Sequence, residues 1–238
     1  MLKISSFYFG GQMKAARGSL GKDQFQEYLK HIFRLQQASS PVSTTALAEA
    51  LKVAPSTVTD MLKKLALSDY INYTPYHGIT LTPAGEKIAI KAIRRHRIVE
   101  RFLTDMLGFE WHEAHEEALP FENYISDEVE RRLYVALHRP KVCPHGYPIP
   151  SKVEDVLVEE VPLYSLEPGE RAEVISVKDD EPELLQFMAS LGIKPGVKIK
   201  VEGKDPFKGP LQALVGKKRR TVGWHLANSI FVKKLPKG

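Results

Sequence analysis

Apolar positions along this chain follow three successive rhythms. From about residue 23, Phe25, Tyr28, Leu29, Ile32 and Phe33 recur at i, i+3, i+4, i+7 and i+8. That spacing is the one-sided stripe of an amphipathic helix, and Ser39, Ser40 and Pro41 end it. A short helix is expected over 42–51 with Ala46, Leu47, Ala50 and Leu51 inward, then a tight turn at Lys52, Val53 and Ala54. A second helix starts at Pro55, and its Val58, Met61, Leu62 and Leu65 share one face. Residues 70–73 and 76–82 read as two strands joined by a glycine turn at Gly78.

The second rhythm is longer. Thr82 and Pro83 are an N-cap and first-turn pair for a helix running past His96, which Gly108 breaks. Ser126, followed by Asp127 and Glu128, opens another helix with acids at its positive end. Residues 139–150 (RPKVCPHGYPIP) carry four prolines and exclude a regular element. Beyond about residue 163 the third rhythm begins. Short β-branched runs at 172–177, 197–201 and 230–233 alternate with Gly/Pro turns and one short helix at 182–191, the pattern of a small β-barrel.

Composition changes this picture little: 43% apolar and 26% charged residues describe an ordinary soluble protein. A net charge of +5 favours an anionic partner. Basic residues cluster at Lys14/Arg17, Lys63/Lys64, Arg94/Arg95/Arg97 and 217–220, and acids between Glu110 and Glu130, suggesting separate electropositive and metal-attracting surfaces. The plainer reading of each cluster is a solvated helix face. One cysteine, Cys143, excludes an intramolecular disulfide framework and a multi-Cys zinc site. No apolar run is long enough to cross a bilayer, and the first residues lack a signal-peptide core and cleavage site, so a cytoplasmic protein is expected.

Two constellations carry chemistry. The helix from Pro55 turns small polar side chains (Ser56, Thr57, Thr59, Asp60) and Lys63 outward. A recognition helix of a winged helix-turn-helix needs that arrangement, with small residues entering the major groove and a base meeting phosphate. Ala54, Pro55, Ser56, Thr57, Thr59, Asp60 and Lys63, with His77 on the wing, are therefore the candidate DNA-contacting residues. Separately, His96 and Glu100 are four residues apart on one helical face, and His115 lies on the next helix. Two imidazoles and a carboxylate suit Fe²⁺, Mn²⁺ or Zn²⁺, although an i, i+4 His–Glu pair is also an ordinary surface salt bridge.

With these residues assembled, the sequence resembles the diphtheria-toxin-repressor/manganese-transport-regulator family. APSTVTDMLKKL, LTPAGEKIA, RRHRIVERFL, HEEALPFENYISDEVERRL and CPHGYPIP carry the likeness. PELLQFMASLGIKPG and TVGWHLANSIFV resemble the SH3-like, ferrous-transport-A-type domain of longer members. The resemblance implies a mainly α chain with a small β fraction. A winged helix-turn-helix would span 23–90, a helical dimerisation and metal-binding domain 91–157, and an SH3-like β-barrel 163–238. Residues 1–22 would be an N-terminal extension, with Met13 as an alternative start.

It also implies a homodimeric repressor of metal-homeostasis genes that binds an inverted-repeat operator on double-stranded DNA and no membrane. Fe²⁺ or Mn²⁺ would activate it, with Zn²⁺, Co²⁺ or Ni²⁺ as substitutes in vitro. Positions matching His96, Glu100 and His115 form one family site, completed from the SH3-like domain, where Glu181 is the nearest match and Leu184 replaces a second polar ligand. The family's other site is degraded: Glu27, Glu122 and Asn123 remain, but Leu119 stands where Cys or Glu is expected and Asn123 where His is expected. A site joining Glu27 to Glu122 would fix the winged domain's orientation. In the family the proline loop is structural, so Cys143 and His145 are expected to be packed and not ligating.

Two alternatives stay open: a family member that has lost metal dependence, and a metallohydrolase using the His/Glu cluster. His112 and His115 lack the spacing of a H-E-x-x-H site, and no G-x-S-x-G or phosphate-binding glycine loop occurs, so an enzyme is not expected.

Overall fold

A computed structural model describes residues 19–122, 124–152, 155, 160–178 and 181–236. The amphipathic stripe of the N-terminal segment forms α1 (Ser19–Gln36), so the first helix begins inside the stretch expected as an extension; residues 1–18 lie outside the described residues. Tyr28, Leu29, Ile32 and Phe33 are buried as their spacing required. Helix α2 (Thr44–Leu51) starts at Thr44 and not at Val42, because the Ser43 side chain caps it by accepting from the Ala46 N–H. Val42 instead exchanges both backbone hydrogen bonds with Ile79, each 2.9 Å, stitching the chain to the wing. On α2 it is Leu47 and Ala48 that reach the core.

Lys52, in the left-handed region at φ 54, turns the chain into α3 (Pro55–Leu67). The wing is the antiparallel pair β1 (Ile71–Thr74) and β2 (Gly78–Leu81). One core unites α1, α2, α3 and the wing with Ala89, Ile90 and Ile93 of the next helix.

That helix, α4 (Pro83–Leu107), has the boundaries its caps dictate. Thr82 accepts from the Gly85 N–H, Pro83 occupies the first turn, and Gly108 ends it at φ 76. It is a single 25-residue rod shared by the winged head and the central domain. Helices α5 (Ala114–Glu122) and α6 (Asp127–Ala136) pack along it. The arginines of α4 are not a solvated or DNA-facing cluster. Arg94 and Arg95 both bind Glu130, Arg95 also binds Asp127, and Arg97 donates to the Pro148 carbonyl at 2.5 Å. Arg95 and Arg97 are buried, because they clamp α6 and the proline loop to the rod.

The C-terminal domain is an all-antiparallel SH3-like sheet in the order β3-β8-β4-β5-β6-β7. The strands are β3 (Val161–Pro162), β4 (Arg171–Val177), β5 (Lys198–Lys204), β6 (Leu211–Val215), β7 (Lys218–Val222) and β8 (Ile230–Lys234). Irregularities at 174–176 and 201–203 break its register, the usual means of bending a sheet over its own core. Helices α7 (Pro182–Leu191) and α8 (Trp224–Asn228) cover it. The basic run at 217–220 is mostly the edge strand β7. Among the described residues no helix is long and apolar enough to cross a membrane.

The proline loop joins the two halves. The His145 carbonyl accepts from the Val177 N–H of β4 at 3.0 Å. Gly146, at φ +93, lies so close to β4 that a Cβ would meet the Ile175 carbonyl oxygen at 1.8 Å. Gly146→Ala should therefore lower stability by about 1–3 kcal/mol or more in thermal unfolding. It should also strip hydrogen-exchange protection from the Val177 amide, and unchanged protection would show that the loop does not hold β4.

Candidate metal centre

Helix α4 places His96 and Glu100 one turn apart on its inner face, α5 brings His115 over them, and the proline loop delivers Cys143 and His145 from the other side. Two ligand-like groups result, His96/Glu100/His115 and Glu100/Cys143/His145, each with its donor atoms within 4.8 Å of one another. Glu100 belongs to both and is fully buried. Its Oε1 lies 2.9 Å from His96 Nε2 and 3.2 Å from both His115 Nδ1 and His145 Nδ1. His96 Nε2 and His115 Nδ1 are 3.0 Å apart.

Sequence spacing and family likeness point to the first group and miss the second. Cys143 and His145 are packed, as expected of a proline loop, but packed with their donor atoms toward Glu100. Glu181 is not brought to this cluster: it is exposed at the head of α7 and outside both groups. The C-terminal domain docks through β4 on the proline loop, and Cys143 and His145 of that loop lie beside Glu100. Leu184 packs on the C-terminal core. His112 does not join His115; its ring stacks edge-on against Trp111.

A cation fits this cluster. Glu100 Oε2 and both ring nitrogens of His145 are buried without an aligned hydrogen bond, the condition expected of donors awaiting a further partner. Nitrogen, oxygen and sulfur donors together suit a divalent transition metal. Burial alone would push the Glu100 carboxyl up, but the charges of His96 and His145 hold it well below the usual range. Burial likewise opposes charge on the histidines, and facing carboxylates outweigh it: Glu100 and Glu122 raise His96 to about 9, and Glu100 raises His145 to about 11. Burial and Glu100 also push the Cys143 thiol up. Without a cation, the carboxylate is thus balanced by protonated imidazoles.

The second set of expected ligands also meets, around a different cation. Glu27 and Glu122 both contact the ammonium of Lys30, with Glu27 Oε2 at 2.7 Å and Glu122 Oε1 at 2.5 Å. Glu122 Oε2 lies 2.8 Å from His96 Nδ1, an ion-pair distance without hydrogen-bond alignment, so the two sets of acids share an edge. Asn123 lies outside the described residues, and Leu119 is partly exposed.

On the winged head, Ala54 caps α3 in extended conformation and Pro55 fills its first turn. Ala54, Pro55, Ser56, Thr57, Asp60 and Lys63 are exposed, as is His77 at the wing turn. The Thr59 hydroxyl donates to the Pro55 carbonyl at 2.9 Å, and Lys63 pairs loosely with Asp60 at 3.4 Å.

Comparisons with known proteins find matches for all three parts of the chain. Residues 22–79 match the model of the iron dependent repressor N-terminal DNA binding domain. Residues 82–151 match its metal binding and dimerisation domain, and 161–234 a FeoA domain. The chain is 30% identical over 190 residues to the diphtheria toxin repressor of Corynebacterium efficiens, covering 75% of this chain and 83% of that one. It is 28% identical over 226 residues to the iron-dependent repressor IdeR of Mycobacterium tuberculosis, covering 90% and 98%. A solved manganese-dependent transcriptional repressor in complex with manganese superposes with a TM-score of 0.80 at 31% identity, over 89% of this chain and all of that one.

Loading the Glu100 cluster must displace protons from imidazolium and thiol, since only their deprotonated forms ligate. Mn²⁺ affinity should rise between pH 6 and 8 by about tenfold per unit for each proton displaced. Calorimetry at pH 7 in buffers of different ionisation enthalpy should register net proton release. A buffer-independent heat would contradict protonated imidazoles and thiol in the metal-free cluster.

Proposed function

Because the chain belongs to the diphtheria-toxin-repressor family of metal-dependent, DNA-binding transcriptional repressors, we propose that its sensing site is the cluster around Glu100, loaded with Mn²⁺ or Fe²⁺. The observation that carries this is the convergence of α4, α5 and the proline loop on one buried carboxylate with unsatisfied donors around it. His96, Glu100 and His115 would hold the ion from the helices, and Cys143 and His145 from the loop. A bound ion supplies the positive charge that otherwise only protons provide.

The residues then act by position. Glu122, beside His96 Nδ1, directs the opposite nitrogen, Nε2, toward Glu100. His145 carries β4 on its own carbonyl, so drawing its ring toward Glu100 fastens the C-terminal domain to the rod. The result is a population shift toward one arrangement of the sheet on the rod that carries the head, bounded by the ion's preference for that arrangement.

On the DNA side, Ser56 and Thr57 lead α3 into the major groove, while Ala54 and Pro55 keep its entry free of bulk. Thr59 has its hydroxyl turned back onto the helix and offers its methyl group. Asp60 and Lys63 are exposed enough to exchange their weak pair for base and phosphate contacts, and His77 reaches from the wing. Met106, Leu107, Phe109, Phe121 and Tyr124 are exposed around the end of α4 and α5, an apolar surface suited to a second copy of the chain. The homodimer would present two α3 helices to an inverted-repeat operator.

Operator binding followed by fluorescence anisotropy should tighten about 10- to 100-fold with excess Mn²⁺. His96→Ala and His145→Ala should each remove most of that gain, while Glu181→Ala leaves it intact. Equal affinity with ion and with chelator would refute metal control, and loss of the gain in Glu181→Ala would restore that residue as a ligand.

A further inference from the structure

Among the described residues, Lys30 is one of the few buried charged side chains, at 5% exposure. It belongs to the winged head, on α1, yet its ammonium reaches Glu122 on α5, 92 residues away in the chain. Glu27, one turn earlier on α1, holds the same nitrogen and gives its other oxygen to His31 Nε2 at 3.0 Å. The contact spans two domains: Glu27 and Lys30 come from the head, Glu122 from the central helices.

A divalent ion shared by these two carboxylates would sit about 2.0–2.2 Å from each oxygen. The nitrogen stands 2.5 and 2.7 Å from those same oxygens, in the space the ion would need. Seating the ion means expelling a buried ammonium from between two acids. Removing one member of a buried charge set is among the costlier changes a folded chain can suffer. Leu119 offers no donor that would offset it.

We propose that the Lys30 ammonium is a resident cation that takes the place of a second metal ion, binding the DNA-reading head to α5 whether or not metal is present. Resting on the reading of Glu100 as the sensing centre, this leaves one metal-responsive joint, between rod and C-terminal domain, and one hard-wired joint, between rod and head. The two meet at Glu122, which touches Lys30 with one oxygen and His96 with the other. Lys30 is thus a positioning residue for DNA binding.

The test counts Mn²⁺ ions bound per full-length chain, by equilibrium dialysis and elemental analysis, alongside operator affinity. Glu27→Gln should bind as many ions as the wild type. Lys30→Ala should bind one more ion per chain; its metal-free operator affinity should fall about tenfold and return as Mn²⁺ fills the vacated place. Loss of one ion in Glu27→Gln would overturn the proposal, because Glu27 would then be a ligand in the native chain. A folded Lys30→Ala with wild-type ion count and affinity would overturn it equally. If Lys30→Ala does not fold, the Glu27→Gln count decides. A wild type that binds no Mn²⁺ at all would defeat only the Glu100 reading, and the Lys30→Ala arm would still decide this one.

Discussion

A fully buried carboxylate is expensive to keep ionised, and in this protein Glu100 is kept so by three imidazoles arriving from different parts of the chain. Two of these anchors also do structural duty elsewhere. His96 adjoins Glu122 and through it Lys30 of the head. His145 hydrogen-bonds β4 of the C-terminal sheet through its own peptide carbonyl. Contacts leading to the head, the rod and the sheet thus meet around one acid on one helix. Because it is buried, its charge balance is screened little by salt or solvent.

The two cationic positions differ in what each leaves adjustable. In the proposed function, protons on His96 and His145 balance the charge at Glu100 and a metal ion would replace them, so the joint there would respond to the surroundings. At Glu122 the charge is tethered to the backbone of α1, so the joint has no such freedom. The arginines of α4 extend the second strategy: paired with Glu130 and capped by proline-loop carbonyls, they hold α6 and the loop in place without any external ion. Much of the central domain is thereby held by internal charge.

How far these features can be read from sequence follows from how local their causes are. The ends of α4 and the start of α6 are legible because Thr82, Gly108 and Ser126 act on the turns next to them. The face of α3 is legible because helical periodicity alone sorts Val58 and Met61 from Ser56 and Thr57. Strand β7 is not, because Val222 is its one buried residue and Lys218, Arg219 and Arg220 of the basic run fill most of the rest. Cys143 and His145 read in the sequence only as packed loop residues, because nothing local to the loop shows that it turns them toward Glu100. Lys30 carries no signal beyond its i, i+3 spacing from Glu27, which on an isolated helix is an ordinary surface pair. Only the long-range approach of Glu122 gives it meaning.

The continuity of α4 sets the mechanical scale of the molecule. The head grips its first turns through Ala89, Ile90 and Ile93, and Glu100 lies further along the same uninterrupted rod. From His96 back to Pro83 the rod measures about 20 Å at the rise of an α-helix. A tilt of about 10° over that length displaces the reading end by about 3.4 Å, one nucleotide step along a strand of the duplex. On the proposed function, a rearrangement that tilted the rod by that angle around Glu100 would be enough to shift a reading head by one step along the groove.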